Sequence, residues 1–252
     1  MLPVPARLTG GSWAFFLDVD GTLLDLADAP DLVHVDARLL RLLESLGRAS
    51  DGAVALVSGR SIADLDQLFS PLVLPTAGLH GAERRDAQGR CHQRPADPRL
   101  RQVKTTLANW SASRPGTLVE DKGGAVALHY RLAPEMEADA RRLVERAAAG
   151  LAGDYVVQIG KRVAEVKPAG VSKATAILEF LREPPFAGRR PVFVGDDVTD
   201  EDGFLAVRGR QGVAICVGDR PGTHASYRLA DVRAVEEWLR HWLDLHPDGA
   251  TT

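Results

Sequence analysis

Five aspartates fall in two short segments, Asp18-Val19-Asp20-Gly21-Thr22 and Gly195-Asp196-Asp197-Val198-Thr199-Asp200, and each segment directly follows an apolar run. Carboxylates gathered into one small volume cannot all stay ionised without a cation. Hard oxygen donors with no Cys or His beside them suit Mg²⁺. An aspartate with a metal partner can act as a nucleophile on phosphorus. Gly21 and Thr22 offer a phosphate their backbone N–H groups and a hydroxyl. Ser58, in Ser58-Gly59-Arg60 after a third apolar run, offers another hydroxyl, and Lys173 a compact positive charge. Plainer readings stand beside these. Asp, Ser and Thr also cap helices, Asp200-Glu201 also fits the acidic first turn of a helix, Lys173 also fits a solvated helix face, and Arg60 also fits a purely structural role.

Such groups need a scaffold that brings distant segments together. Trp13 to Leu17 (WAFFL), Ala53 to Val57 (AVALV), Pro191 to Val194 (PVFV) and Val213 to Val217 (VAICV) are continuous apolar runs, the pattern of strands buried on both faces. Between the first two, Leu39, Leu40, Leu42, Leu43 and Leu46 make one broad helical face with Gly47 near its end. Further helices are expected over about 61–69, stopped by Pro71, over about 171–182, and over about 232–244, where Trp238 and Trp242 read as core. Residues 246–252 are expected to fray. This alternation predicts an α/β fold, a doubly wound, mostly parallel sheet with helices on both faces. Ligands bind such sheets at the carboxyl ends of the strands, where the aspartates, Ser58 and Arg60 fall.

The middle of the chain has another rhythm. A helix over about 97–112, strands at Thr117 to Glu120 and Ala125 to Leu132, a helix opened by Pro134 and ended by Gly150, and a hairpin of Tyr155 to Ile159 and Val163 to Val166 around Gly160-Lys161 make an α+β pattern. The expected organisation is a first part of the α/β core (1–83), an inserted α+β module (84–167) and a second part of the core (168–252). Gly78 to Gly81 and Pro168 to Gly170 supply the hinges.

Composition narrows the functions. The 252 residues are 45% apolar and 26% charged, enough for a sizeable core and too apolar for a wholly disordered chain. A net charge of −3 argues against nucleic acid or an anionic membrane as partner. No apolar stretch reaches the roughly 18 residues of a membrane span. The opening residues lack the apolar centre of a secretory signal, so a cytoplasmic, monomeric chain is expected. Cys91 and Cys216 lack metal-site spacing and cannot form a disulfide framework. Of 31 basic residues only five are lysine, namely Lys104, Lys122, Lys161, Lys167 and Lys173. That scarcity either marks positions needing a compact ammonium or reflects codon usage.

DVDGT, a strand-end Ser, a Lys at a helix start and GDDVTD, in that order, resemble the haloacid-dehalogenase-type (HAD) phosphohydrolase superfamily. The resemblance implies that Asp18 is the nucleophile that forms an aspartyl-phosphate. Asp20 would be the general acid that protonates the leaving oxygen, then the base that activates water. Ser58 and Lys173 would hold phosphoryl oxygens. Asp18, the backbone carbonyl of Asp20, and Asp196 would bind Mg²⁺, with Asp197 and Asp200 nearby. Inserted α+β modules in this superfamily act as caps that close over the core and read the leaving group.

The inserted module carries polar clusters suited to that task. His80-Gly81-Ala82-Glu83 lies at its entry, Glu120-Asp121-Lys122 precedes the strand ending His129-Tyr130-Arg131, and Glu165-Val166-Lys167 closes it. In an extended chain Glu120 and Lys122 share a face, as do Glu165 and Lys167. Carboxylates that accept and ammoniums that donate suit a ligand with many hydroxyls, that is, a sugar. Ordinary cross-strand ion pairs are the alternative. AGLHGAERR, VEDKGGAVALHYR, EVKPAGVSK and FVGDDVTDE together closely resemble the bacterial trehalose-6-phosphate phosphatases, from about Trp13 to Leu239. That resemblance implies hydrolysis of the small-molecule substrate trehalose 6-phosphate to trehalose and phosphate. Glu120, Lys122, Glu165 and Lys167 would contact the sugar, and Gly21, Thr22, Arg60, His80, Glu83 and Arg131 would complete the substrate site. Two readings compete: a phosphatase or mutase for another sugar phosphate, and a non-catalytic regulatory partner of a sugar-synthesis complex. A degenerate partner would be expected to lose a catalytic aspartate, whereas Asp18, Asp20, Lys173 and Asp196 are all present.

Overall fold

The computed structural model describes residues 2–6, 8, 11–26, 34–93, 97–160 and 162–246. In chain order its elements are β1 (Trp13–Leu17), α1 (Ala37–Ala49), β2 (Val54–Val57), α2 (Ile62–Phe69), β3 (Thr76–Gly78), β4 (Glu83–Arg85), β5 (Cys91–Gln93), α3 (Leu100–Ser111), β6 (Leu118–Asp121), β7 (Val126–His129), α4 (Glu137–Ala148), β8 (Tyr155–Gly160), β9 (Val163–Pro168), α5 (Lys173–Phe180), β10 (Arg190–Gly195), α6 (Glu201–Arg208), β11 (Val213–Val217), β12 (Tyr227–Leu229) and α7 (Val232–Leu245). The chain divides into two compact units, one running to His92 and resuming at Ser172, the other Gln93–Val171.

The first unit holds an eight-stranded sheet in the order β12-β11-β10-β1-β2-β3-β4-β5. Neighbours from β12 to β3 run parallel, and β4 turns back antiparallel on β3. Alternate side chains of a strand leave opposite faces. Trp13, Phe15 and Leu17 enter one apolar cluster with Leu39, Leu43, Leu239 and Trp242, while Ala14 and Phe16 enter another with Ile177, Phe180 and Phe204. A strand serving two cores has no polar position to give, which is why WAFFL reads as an unbroken run. The sheet is thus doubly wound, α1 and α7 on one face and α5 and α6 on the other.

Trp242 packs edge-on against Phe15 at 4.7 Å, and Trp238 lies partly buried against the same cluster. His246, expected to fray, instead stacks on Trp242 with ring centroids 4.4 Å apart. The rest of the expected frayed tail lies outside the described residues. Residues 84–92, assigned by sequence pattern to the inserted module, continue the first unit's sheet as β4 and β5. β4 pairs at once with β3 just before it, so the chain leaves this sheet later than its composition suggests.

The second unit is a four-stranded sheet, β6-β7-β9-β8, antiparallel throughout. Leu100, Val103 and Leu107 of α3 and Ala140 and Val144 of α4 pack with Val126, Leu128 and Val166. The register sets Glu120, Ala127, Glu165 and Gln158 side by side, on the face opposite that packing. β7 ends at His129, short of the expected Leu132, because Tyr130 to Ala133 already form a turn closed by the Ala133 amide on the Tyr130 carbonyl. Lys161, expected from sequence in the hairpin turn, lies outside the described residues. Among those described, no helix is long and apolar enough to cross a membrane.

Candidate active site

β1 lies between β10 and β2, parallel to both, so their carboxyl ends are neighbours. β1 runs into Asp18, β2 into Ser58, and β10 into Asp196. The Asp18 amide donates to the Val194 carbonyl at 3.0 Å, fastening one loop to the end of the adjacent strand. Carboxylate oxygens of Asp18, Asp196 and Asp200 all come within 4.8 Å of one another.

Lys173 is the first residue of α5, whose N-cap Ser172 accepts from the Thr175 amide in a capping box. That cap fixes where the lysine starts. Its ammonium, 2% exposed, lies 2.7 Å from Asp18 Oδ1 and 2.6 Å from Asp200 Oδ1. Two buried carboxylates therefore share one buried cation, with the half-buried Asp196 carboxylate beside them. Burial pushes the Asp18 carboxyl well above the usual range; Lys173 opposes this, and Asp200 and Asp196 add to it. Asp196 is pushed up to about 6 by burial and by the charge of Asp200. Burial works to lower Lys173, but Asp18 and Asp200 outweigh it and hold the ammonium above its ordinary value. Hard oxygen donors and an excess of buried negative charge fit a hard divalent cation.

Two glycines are required by this packing. A Cβ on Gly21, at φ +80°, would sit 2.2 Å from Asp196 Oδ2, and one on Gly195 would sit 2.4 Å from Asp200 Cγ. The Thr22 hydroxyl is buried and has no hydrogen-bond partner among the described residues. Ser58, buried, accepts the Arg60 amide at 3.2 Å.

Several expected substrate residues have protein partners instead. Arg60 makes a two-pronged ion pair to both carboxylate oxygens of Asp20, each at 2.7 Å. Glu83 Oε1 accepts the Ile62 amide at 2.5 Å, capping the start of α2. Leu79, His80 and Gly81 all have positive φ (50°, 57° and 102°). Their turn is laid on the Ser58–Arg60 loop by Leu79 N to Arg60 O (2.8 Å) and His80 N to Ser58 O (2.9 Å). A Cβ on Gly59 would meet the His80 ring at 2.7 Å.

Asp197 is not among the three carboxylates that come within 4.8 Å of one another. Its Oδ1 lies 3.5 Å from Arg220 Nη2, and its amide donates to Asp200 Oδ2 at 2.8 Å. Arg220, in the loop after β11, also donates to the Asp196 carbonyl at 2.5 Å. Sequence reasoning missed it, although VAICV leading into Gly218-Asp219-Arg220 is a fourth strand end of the same kind.

In the second unit, Lys122 Nζ lies 3.8 Å from Glu120 Oε2 and 3.6 Å from Glu165 Oε2. Lys167 is buried two residues further along β9. His129 Nε2 bonds Glu120 Oε2 at 2.8 Å, so His129, named in sequence only as part of a strand end and given no substrate role, joins the cluster. The period-two face of β7, which carries Ala127 and His129 together, is the signal that could have found it. Arg131 is exposed in the turn after β7 and joins none of the ion pairs described here.

This sheet, with carboxylates and a lysine gathered at its strand ends, is similar in fold to that of HAD-type phosphatases. The fold matches a phosphatase of the haloalkanoate (HAD) enzyme superfamily from Bacteroides thetaiotaomicron at a TM-score of 0.61, with 19% identity over 91% of this chain and 94% of that one. A family model described as trehalose-phosphatase matches residues 16–233. A probable trehalose-phosphate phosphatase of Sinorhizobium fredii (strain NBRC 101917 / NGR234) is 47% identical over 225 residues, 89% of this chain and 84% of that protein. The trehalose-6-phosphate phosphatase of Escherichia coli (strain K12) is 45% identical over 228 residues, 90% and 85% of the two chains. The chain belongs to the trehalose-phosphatase family.

Proposed function

We propose that this enzyme hydrolyses trehalose 6-phosphate to trehalose and phosphate, with Mg²⁺ at the strand ends and Asp18 as nucleophile. The observation that carries the reading is the close trio of Asp18, Asp196 and Asp200, two of them buried on the Lys173 ammonium. Asp18, Asp196 and the backbone carbonyl of Asp20 would hold the ion, Asp200 being engaged by Lys173 and the Asp197 amide. Bound there, Mg²⁺ supplies the positive charge that lets a carboxylate and a phosphate dianion approach.

The chain's own residues do the rest. The Asp18 carboxylate attacks phosphorus; an oxygen–phosphorus bond forms on Asp18 as the bond to the sugar oxygen breaks. Asp20 gives the departing oxygen a proton. The Asp20 carboxylate then takes a proton from water, which attacks the phosphorus and frees Asp18. Arg60 occupies both Asp20 oxygens in a two-pronged pair, so that pair must open before Asp20 can carry a proton to the leaving oxygen. Lys173 holds Asp18 and receives a phosphoryl oxygen, while the Ser58 and partnerless Thr22 hydroxyls receive others. Glu120, Lys122 and Glu165 match sugar hydroxyls with acceptors and donors.

Phosphate release across a panel of phosphorylated mono- and disaccharides, with and without Mg²⁺, tests this. Trehalose 6-phosphate should be the preferred substrate, and chelation should abolish turnover. Equal rates on glucose 6-phosphate would remove the sugar assignment, and undiminished activity in excess chelator would remove the metal.

A further inference from the structure

The peptide joining Asp196 to Asp197 is held at both ends. Its carbonyl accepts from Arg220 Nη2 at 2.5 Å, and its N–H donates to Asp200 Oδ2 at 2.8 Å. A peptide unit is planar, so fixing both ends removes the rotations on either side of it. The backbone from which Asp196 projects its carboxylate is then held in place, beside the side-chain-free surface of Gly21.

One anchor, Asp200, belongs to the carboxylate–lysine cluster. The other comes from a separate loop. Arg220 reaches from residues after β11 and sits between Asp197 Oδ1 at 3.5 Å and Glu201 Oε1 at 3.7 Å. Glu201 in turn accepts the His224 amide at 2.7 Å and faces His224 Nδ1 at 3.0 Å, binding both ends of that loop to the start of α6. Arg220 has a planar fork of donors, which lysine lacks, so one Nη can bond the carbonyl while the guanidinium stays in ion-pair range of both carboxylates.

We infer that Arg220 is a positioning residue: through the peptide after Asp196 it sets that carboxylate for metal binding. The inference rests on the reading of the strand-end carboxylates as the Mg²⁺ site. Groups that orient a metal's ligands typically govern affinity by about 10- to 100-fold when removed.

The test is calorimetric titration of Mg²⁺ into the metal-free full chain, for wild type, Arg220→Lys, Arg220→Met and Arg228→Ala. Arg228 is the control, a neighbouring arginine paired with the exposed Asp219. Wild type and Arg228→Ala should bind alike, and both Arg220 variants about 10- to 100-fold more weakly. At saturating Mg²⁺ the KM for the sugar phosphate should be unchanged. Arg220→Lys keeps the charge, so it decides the matter if Arg220→Met does not fold. Wild-type affinity in the Arg220 variants overturns the role of Arg220 and leaves the metal reading intact. A wild-type chain that binds no Mg²⁺ overturns both.

Discussion

The two polar clusters of this molecule are built on opposite plans. At the strand ends of the first unit, Asp18, Lys173 and Asp200 are nearly dry and meet at 2.6–2.7 Å. On the sheet face of the second unit, Lys122 stands 3.6–3.8 Å from its carboxylates; Lys122 and Glu165 are only 11% and 7% exposed, and Glu120 is 46% exposed. Dry, close charges act strongly and cost nothing to reorganise when the reaction occurs, as phosphoryl transfer requires. Groups spaced beyond hydrogen-bond contact, with Glu120 open to water, can take up hydroxyls between them at little cost, which suits recognition. In the proposed mechanism, then, the first cluster performs the bond-making and the second selects the sugar.

The severest way to break that division is at Asp18. Asp18→Asn should lower phosphate release by about 10⁴-fold or more. At pH 8 the metal-free variant should unfold no earlier than wild type, because one of three crowded carboxylates is gone; Tm by circular dichroism checks this. A loss of the same size from any single change on the second unit's sheet face would erase the contrast. Lys122→Ala and Glu165→Gln should instead lower kcat/KM for the sugar phosphate by roughly 10- to 100-fold, the worth of a hydrogen bond to a charged group. Hydrolysis of a sugar-free ester such as p-nitrophenyl phosphate should be unchanged. If it falls in parallel, these residues serve the chemistry or the fold rather than the sugar.

The smallest expected effect sharpens the comparison through pH. Asp196 is pushed up to about 6, above the ordinary unfolded value of roughly 3.9. Protonation therefore favours the folded state: the contribution is complete below about pH 4 and is lost as pH rises through about 6. Added Mg²⁺ should raise Tm by several degrees at pH 7.5 and by clearly less at pH 5, read by scanning calorimetry. Equal shifts at both pH values would mean that the carboxylates do not compete with protons for the ion.

What could be read from sequence follows from how local each cause is. β1, β2, β10 and β11 announce themselves because burial on both faces demands an unbroken apolar run. β3, β4, β5 and β12 are three residues each, TAG, ERR, CHQ and YRL, and only a strand already in place makes them strands. The aspartates of DVDGT and GDDVTD stand out because their spacing is local. The partner of Asp20 does not, since Arg60 lies 40 residues away. Glu83 looks like a recognition residue in sequence, and only the fold reveals that its oxygen serves the Ile62 amide. Arg220 had only the strand end before it as a signal, and in a chain this rich in arginine its residue type added none.

The pairing of Leu17 with Val194 carries a consequence for how this protein is made. A ribosome releases β1 long before β10, and the whole of Gln93–Val171 emerges in the interval. At ordinary elongation rates that wait is about ten to thirty seconds. Throughout it, the nascent chain carries a bare hydrophobic strand edge, so this stretch of synthesis is the one at which a chaperone has most to shield.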